Sequence, residues 1–225
     1  MPTTASTREI QSDFDAIAKL TPTGDHPGQL DRWLLAQLSS RGTVLEIGCG
    51  VGHLSRRLTA TFARVVAIDF SQGMIDEARS RAGQTSIEFH CADMFEWLPR
   101  FRNTYDCIVT VATLHHVDLR SALRQMAQSL KPGGRLLVVD LVDRSGWRYV
   151  FMNGLAYLAA GAHEFVSFGG LKPWKLRRAF WRHGRHETYL TLAEVKRAAQ
   201  EELPGAEVRG HVIWRYSIKW DKPVR

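Results

Sequence analysis

The sequence has few cysteines and no long apolar run. Its three cysteines form no CxxC pair and show no metal-ligand spacing, so the sequence predicts no metal site. Because each lies in or beside an apolar stretch, we expect Cys49, Cys91 and Cys107 to be buried free thiols. No stretch is long and apolar enough to cross a bilayer, and the N-terminus lacks the basic-then-apolar pattern of a signal peptide. These absences favour a cytoplasmic protein.

Internal repeats and low-complexity linkers are also absent. Apolar residues make up 44% and charged residues 24% of the 225 residues, a composition typical of a globular protein and not of a disordered one. This length fits one α/β domain over residues 1–225, with room for a small insertion but not for a second full domain. The oligomeric state stays open.

Acidic residues are outnumbered. Thirty Lys and Arg against 23 Asp and Glu give a formal net charge of +7, and residues 144–185 hold eight basic residues but a single acid, Glu164. Nucleic acid, an anionic small substrate or a membrane surface would each suit this excess. A soluble protein with a basic surface explains it as well, and we favour that interpretation over nucleic-acid binding.

Strands and helices alternate along most of the chain. Two helices, near residues 7–19 and 26–38, form an N-terminal cap over residues 1–40. Apolar runs then predict five strands separated by helices, at residues 44–47, 64–68, 87–91, 106–111 and 135–141. Ser71 and Thr191 are predicted N-caps, and Lys131–Gly134 is expected to stop the helix over 119–130. A helix to Glu202 and two strands, near residues 206–210 and 213–220, follow. This alternation predicts a parallel sheet with helices on both faces.

A glycine-rich loop follows the first strand. Glu46-Ile47-Gly48-Cys49-Gly50-Val51-Gly52 ends that strand and leads into a helix. Glycines there permit a tight turn and close approach of a ligand to the backbone, and free N–H groups at the helix start favour an anionic group. Such a loop alone is also found in dinucleotide enzymes. Glu46 is notable because a carboxylate in an apolar strand needs a partner.

Two carboxylates follow the next strands. Asp69 ends the second strand, where it can accept hydrogen bonds from both ribose hydroxyls of a bound adenosine. Asp93 follows the third strand and can accept a hydrogen bond from the exocyclic amine of adenine. Together with the glycine loop, these positions predict a nucleoside site at the carboxyl edge of the sheet.

The segments VLEIGCGVGHLS, VVAIDFS, CADMFEW, YDCIVTVATLHHV and LKPGGRLLVVD, between Thr43 and Asp140, jointly resemble the class I, Rossmann-like S-adenosylmethionine-dependent methyltransferases. The resemblance implies a seven-stranded, mostly parallel sheet of order 3-2-1-4-5-7-6, with strand 7 antiparallel. It also implies S-adenosyl-L-methionine as the cofactor. The cofactor-binding residues implied in this way are Phe14, Glu46, Gly48, Cys49, Gly50, Gly52, Asp69, Phe70, Met74, Asp93, Met94, Thr110 and Val111. Phe70 and Met74 also fit an ordinary core role.

Two histidines follow the fourth strand, at the edge of the sheet where ligands bind in such folds. An imidazole titrates near neutral pH, so His115 or His116 is a candidate general base for an acceptor that must lose a proton. His115 is the first choice. The competing interpretation is that both only hydrogen-bond the loop.

Residues 144–190 form a predicted insertion between strands 5 and 6, rich in aromatic and small residues between Trp147 and Gly170. The resemblance implies that such insertions shape the acceptor pocket, so we expect a small hydrophobic or aromatic acceptor and O- or C-methylation. A plain packed helix or a helix lying on an anionic membrane surface would also explain the segment.

Two other functions remain open. A nucleic-acid methyltransferase fits the basic charge, but Thr110-Val111-Ala112-Thr113 stands where many exocyclic-amine methyltransferases carry Asp/Asn-Pro-Pro-aromatic, and no RNA-binding module is recognisable. Alternatively, the fold binds S-adenosylmethionine in a non-methylating role. A nicotinamide dehydrogenase fits the glycine spacing poorly.

Overall fold

The computed structural model describes residues 7–21, 29–38, 42–143, 189–211 and 214–224. The helices there are α1 (Thr7–Leu20), α2 (Gln29–Ala36), α3 (His53–Leu58), α4 (Gln72–Arg81), α5 (Met94–Trp97), α6 (Leu119–Ser129) and α7 (Leu192–Glu202). The strands are β1 (Thr43–Ile47), β2 (Arg64–Asp69), β3 (Ile87–Cys91), β4 (Tyr105–Val111), β5 (Leu130–Leu141), β6 (Glu207–His211) and β7 (Arg215–Asp221). Short 3-10 turns cover Leu98–Arg100 and Leu114–His116.

The strands form one seven-stranded sheet of order β3-β2-β1-β4-β5-β7-β6. Neighbouring strands from β3 to β5 pair in parallel, whereas β7 runs antiparallel to both β5 and β6. This confirms the predicted order and the antiparallel strand 7.

The central strands β1, β2, β4 and β5 are buried on both faces of the sheet, as their apolar runs predict. On one face, Leu45, Ile108 and Val138 belong to a core cluster that includes apolar residues of α6 and α7. On the other face, Val44 and Val109 belong to a cluster with apolar residues of α2 and α3. Successive residues of each strand therefore serve opposite cores.

Helix starts follow the sequence signals. The side chain of Ser71 accepts a hydrogen bond from the Met74 N–H and so caps α4. Thr191 and Glu194 form a reciprocal capping box at the start of α7. Both predicted N-caps are confirmed.

Helix α1 is fixed to the start of α4 by a carboxylate. The Oδ1 atom of Asp15 accepts hydrogen bonds from the Ser71 hydroxyl at 2.5 Å and from the Gly73 N–H at 3.0 Å. A Cβ atom at Gly73 would lie 2.8 Å from that oxygen, so the close approach of α1 requires glycine there. Gln11 adds a hydrogen bond from Nε2 to the Phe70 carbonyl. The N-terminal segment is thereby held beside the end of β2.

One strand boundary and one cysteine differ from expectation. Helix α6 ends at Ser129, so the predicted stop before Lys131–Gly134 is confirmed, but β5 begins at Leu130 and not at residue 135. Pairing explains the difference, because the Gly133 N–H donates to the Lys222 carbonyl and the Lys222 N–H donates to the Gly134 carbonyl. Cys91 is exposed and not buried, because it ends β3 at the edge of the sheet. Cys49 and Cys107 are buried free thiols, as expected.

The flanks of the predicted insertion meet at the carboxyl edge of the sheet. The Asp143 N–H donates to the Leu190 carbonyl at 2.9 Å, and the Val142 N–H donates to the Trp214 carbonyl. Of the insertion assigned to residues 144–190, residues 144–188 lie outside the described residues, as do parts of the cap assigned to 1–40. Each therefore remains a prediction.

Within the described ranges, no helix is long and apolar enough to cross a membrane. The same ranges contain no group of three or more His, Cys, Asp or Glu side chains arranged to hold a metal ion.

The contact between α1 and α4 makes a stability prediction. Asp15→Ala leaves the Gly73 N–H and the Ser71 hydroxyl without their acceptor, and we expect it to lower the free energy of unfolding by about 1–2 kcal/mol. Urea denaturation measures this change. The control is Asp76→Ala on α4, whose carboxylate is exposed and forms only surface contacts with Gln72 and Arg79, so its loss should stay within about 0.5 kcal/mol. Equal losses in both variants would contradict the proposed importance of the Asp15 contact.

Candidate active site

A cavity opens at the carboxyl edge of the sheet, where β1, β2, β3 and β4 end. Six of the predicted site residues line it: Gly48, Asp69, Phe70, Asp93, Met94 and His116. Residues not predicted for the site also contribute, among them Ile47, Thr113 and Val117. The cavity thus combines carboxylates with apolar and aromatic walls, as small-molecule sites commonly do.

The glycine loop has the backbone conformation that its sequence requires. Gly48, Gly50 and Gly52 all have positive φ angles, of 72°, 52° and 77°. At Gly48 any Cβ atom would overlap the side chain of Thr113, so this glycine permits the β1 and β4 loops to touch. The two loops form adjoining parts of one wall.

Asp69 ties the glycine loop to β2. Its Oδ2 atom accepts a hydrogen bond from the Gly50 N–H at 2.8 Å, and its Oδ1 atom accepts one from the Ser71 N–H at 2.9 Å. A carboxylate offers about four acceptor positions, so these two hydrogen bonds leave acceptor capacity for a ligand in the cavity that Asp69 lines. Burial raises the pKa of the Asp69 carboxyl above its ordinary value of 3.8, and the nearby Asp15 adds to this increase. The backbone N–H groups of Ser71, Gly50 and Phe70 oppose the increase.

Asp93 and Met94 form the β3 side of the cavity. The exposed Asp93 side chain caps α5 by accepting a hydrogen bond from the Phe95 N–H at 2.6 Å. Met94 is buried in the core behind it. The sequence placed both residues beside adenine, and the structure brings them into the same cavity as Asp69.

Phe14 on α1 contacts two residues that line the cavity but is not itself a lining residue. Its ring contacts Phe70 edge-on at a centroid distance of 5.6 Å and His116 edge-on at 5.5 Å. One side chain of the N-terminal segment therefore joins the β2 wall to the β4 wall.

Glu46 and Cys49 are buried at the base of the glycine loop. The Glu46 carboxylate accepts a hydrogen bond from the Ser55 hydroxyl on α3. Burial raises the pKa of the Cys49 thiol well above its ordinary value, and the neighbouring carboxylates of Glu46 and Asp69 add to the increase. A thiol held in its neutral form is a poor nucleophile, so Cys49 packs in the loop without offering a reactive sulfur.

The other predicted cofactor residues lie deeper. Met74 packs against Ile17, Ala18 and Val51 beneath α1, in line with the core role weighed for it. Thr110 is fully buried in β4, and its hydroxyl has no hydrogen-bond partner within the described residues. Val111 packs partly buried on the opposite face of the sheet. Contact of these three with a cofactor remains a prediction.

The two candidate bases occupy different environments. His116 lines the cavity, whereas the His115 side chain is buried beside it, with the ring centroids 3.9 Å apart. The Nδ1 atom of His115 lies 2.6 Å from Oδ1 of Asp140, a carboxylate with no exposed surface. Tyr189 lies on another side of His115, with a centroid distance of 5.5 Å.

Two polar residues with contacts at the site, Thr113 and Asp140, were not among the predicted site residues. The signal for Asp140 was present, because it is a carboxylate at the end of the apolar strand Leu136–Val139, just as Glu46 is in β1. Thr113 gave no such signal, since polar residues are ordinary in a loop.

Comparison with known proteins agrees with this architecture. A family model described as a methyltransferase domain matches residues 44–134. An uncharacterized methyltransferase of Mycobacterium tuberculosis is 32% identical over 186 residues, which cover 80% of this chain and 87% of the relative. A ubiquinone biosynthesis O-methyltransferase of Coxiella burnetii is 31% identical over 146 residues, covering 61% of this chain and 62% of the relative.

Solved structures show the same fold at lower identity. A Haloferax volcanii methyltransferase solved with the Trm112 methyltransferase activator has a TM-score of 0.68 at 18% identity, covering 96% of this chain and 98% of the other. The geranyl diphosphate C-methyltransferase of Streptomyces coelicolor, solved with S-adenosyl-L-homocysteine, has a TM-score of 0.63 at 13% identity, covering 97% and 100%. Sheet order, glycine loop and relatives lead to one family: the chain is a class I, Rossmann-like S-adenosylmethionine-dependent methyltransferase.

Proposed function

We propose that this enzyme methylates a hydroxyl group, or an acidic carbon, of a small hydrophobic or aromatic acceptor, with His115 as the general base. The observation that carries the proposal is the buried pair of His115 and Asp140 beside the cofactor cavity. A methyltransferase acting on an already basic nitrogen has less need of such a base, whereas a neutral hydroxyl must lose a proton.

The cavity residues fit S-adenosyl-L-methionine. Asp69 keeps acceptor capacity for ribose hydroxyls, Asp93 lines the same cavity and can accept from the adenine amine, and Phe70 offers an aromatic surface. In the glycine loop, the backbone of Gly50 is open to a ligand, because a Cβ atom there would meet nothing nearer than the Met74 sulfur at 4.0 Å. When bound, S-adenosylmethionine supplies an electrophilic methyl group on a sulfonium.

The protein's own contribution is orientation and proton removal. The Nε2 atom of His115 accepts the proton of the acceptor, while Nδ1 stays bonded to Asp140. Burial of His115 keeps water away from this proton transfer. Positioning two reactants can supply about 7–11 kcal/mol in well-oriented systems, and general base catalysis about 10²–10⁴-fold more.

Two observations support an apolar acceptor. The flanks of residues 144–188 meet at the hydrogen bond between Asp143 and Leu190, next to Tyr189 and His115, so the insertion leaves and re-enters the fold beside the base. Its sequence is rich in aromatic residues. The relatives and neighbours named above include a ubiquinone biosynthesis O-methyltransferase and a geranyl diphosphate C-methyltransferase, and geranyl diphosphate joins an apolar chain to a charged diphosphate.

Turnover with candidate acceptors tests the proposal directly. The protein is incubated with S-adenosylmethionine and a panel of phenols, hydroquinones and lipophilic acids, with an oligonucleotide pool as the contrasting class. Mass spectrometry scores S-adenosyl-L-homocysteine and methylated product together. We expect both from a phenolic or hydroquinone acceptor. Methylation of the oligonucleotides alone would refute the proposal.

We expect substitutions of the two histidines to affect different quantities, turnover for His115 and cofactor affinity for His116. We expect His115→Ala to lower turnover at least about 100-fold, because the base is lost, while S-adenosylhomocysteine affinity changes less than about threefold. His116→Ala should mainly weaken cofactor binding, since His116 lines the cavity. His90→Ala, in β3 against Trp97, is the control and should change neither quantity. Initial rates and calorimetry give the two measurements; wild-type turnover in His115→Ala would remove it from the mechanism.

Cofactor affinity should depend on pH through Asp69. Ribose hydroxyls donate to the ionised carboxylate, so binding favours that form, and affinity is lost as the pH falls through the pKa of Asp69. Because burial raises that pKa, the loss should begin above the ordinary value of 3.8. Calorimetry with S-adenosylhomocysteine, from neutral pH down to the onset of acid unfolding, measures it. Asp69→Asn should bind about 100-fold more weakly at neutral pH and show a flat profile; a wild-type profile in Asp69→Asn would contradict the assignment.

A further inference from the structure

The Asp140 carboxylate has an unusually complete set of donors. Oδ2 accepts hydrogen bonds from the Thr113 N–H at 3.1 Å and the Leu114 N–H at 2.5 Å. Oδ1 lies 2.6 Å from both the Leu141 N–H and the Nδ1 atom of His115. A carboxylate offers about four acceptor positions, and here all four are filled.

The four partners of Asp140 determine which nitrogen of His115 carries the hydrogen. Three of the four partners are backbone N–H groups, which can only donate, and an ionised carboxylate can only accept. The remaining contact at 2.6 Å is a hydrogen bond only if Nδ1 of His115 carries the hydrogen. In neutral His115, Nε2 is then unprotonated and able to accept a proton.

The same carboxylate also holds the loop after β4. Ala112 has a φ angle of 53°, which is strained for a residue with a Cβ atom, and the two amides bound by Oδ2 follow it directly. The Thr113 side chain in turn fills the space above Gly48. Asp140 therefore fixes both the base and the part of the loop that touches the glycine loop.

We propose that Asp140 is a positioning residue that holds His115 in its Nδ1–H tautomer, so that Nε2 is the ring nitrogen that can take up a proton. The inference rests on the proposed function where it treats Nε2 as the base. The tautomer itself is a property of the protein without cofactor or acceptor, so it can be measured separately. A role limited to holding the loop predicts no dependence of the tautomer on Asp140.

Asp140→Asn distinguishes these roles. An asparagine has one oxygen and one NH₂ group in the place of two oxygens. Pointing the oxygen at Thr113 and Leu114 keeps two backbone hydrogen bonds and loses the one from Leu141, whereas the reverse orientation keeps only that from Leu141 and places the NH₂ group against the other two. The favoured orientation therefore sets the NH₂ group against His115, and its Nδ1 atom must become an acceptor. The hydrogen then moves to Nε2.

The experiment is long-range ¹H–¹⁵N spectroscopy of the full-length protein with ¹⁵N-labelled histidine, recorded at about pH 8.5, above the ordinary titration range of imidazole. The spectrum of His115→Gln identifies the His115 signals among the nine histidines. In the wild type, we expect Nε2 in the range of an unprotonated ring nitrogen and Nδ1 in the protonated range. In Asp140→Asn, the two assignments should exchange.

Asp106→Asn is the matched control. Asp106 lies at the opposite end of β4 and accepts hydrogen bonds from the Thr43 N–H and from Lys131, so the variant removes a comparable carboxylate far from His115. We expect its His115 tautomer to match the wild type. An exchange in both variants would overturn the specific role of Asp140.

If Asp140→Asn does not fold, the wild-type spectrum alone tests the proposal, because an Nε2–H tautomer in the wild type would overturn it. S-adenosylhomocysteine binding by calorimetry confirms that a variant is folded. An Nδ1–H tautomer together with no methylated product from any small acceptor would refute the proposed function and leave the tautomer assignment standing. An Nε2–H tautomer with normal turnover would overturn the tautomer and the assignment of Nε2 as the base, and would leave methylation of the small acceptor standing.

Discussion

Buried carboxylates at the carboxyl edge of the sheet must be surrounded by hydrogen-bond donors, and Asp140 is the clearest case. A carboxylate with no exposed surface is tolerated only when donors surround it, and Asp140 finds them in the β4 loop and in His115. Asp69 meets the same requirement through Gly50 and Ser71. At the ends of β2 and β5, the need to satisfy a buried carboxylate thus holds a loop in place. The loops are therefore built before any ligand arrives, and the ligand finds a preorganised site.

The fold could be predicted wherever the signal was local or periodic. Alternating apolar runs gave the parallel sheet, and Ser71 and Thr191 marked helix starts, because a capping side chain acts within three residues of itself. Prediction failed where a distant partner decides. Gly133 and Gly134 belong to β5 because Lys222 pairs with them from nearly ninety residues away. Cys91 is exposed because β3 is an edge strand, which no local pattern in Ile87–Cys91 reveals.

The residues of the candidate site likewise fall into those that the sequence predicts and those whose contacts depend on a distant partner. Gly48, Asp69 and Asp93 were predictable because each lies at the end of a strand or within two residues of it, and parallel strands bring their carboxyl ends together. The contact of His115 with Asp140 was not predictable, because 25 residues separate them and a side-chain distance depends on the register of β4 with β5. Likewise, nothing in α1 marked Asp15 as the residue that would meet Gly73. Sequence reasoning thus located the edge of the sheet that carries the site, while the pairing of side chains required coordinates.

The hydrogen bond between Asp143 and Leu190 has a consequence for how such an enzyme diversifies. A segment whose two ends are joined at one backbone contact can be lengthened, shortened or exchanged with little strain on the sheet, since the entropy of closing a loop changes slowly with its length. The cavity residues and Asp140 all lie outside residues 144–188. Evolution can therefore change the length and sequence of residues 144–188 while the sheet, the cavity and Asp140 are kept.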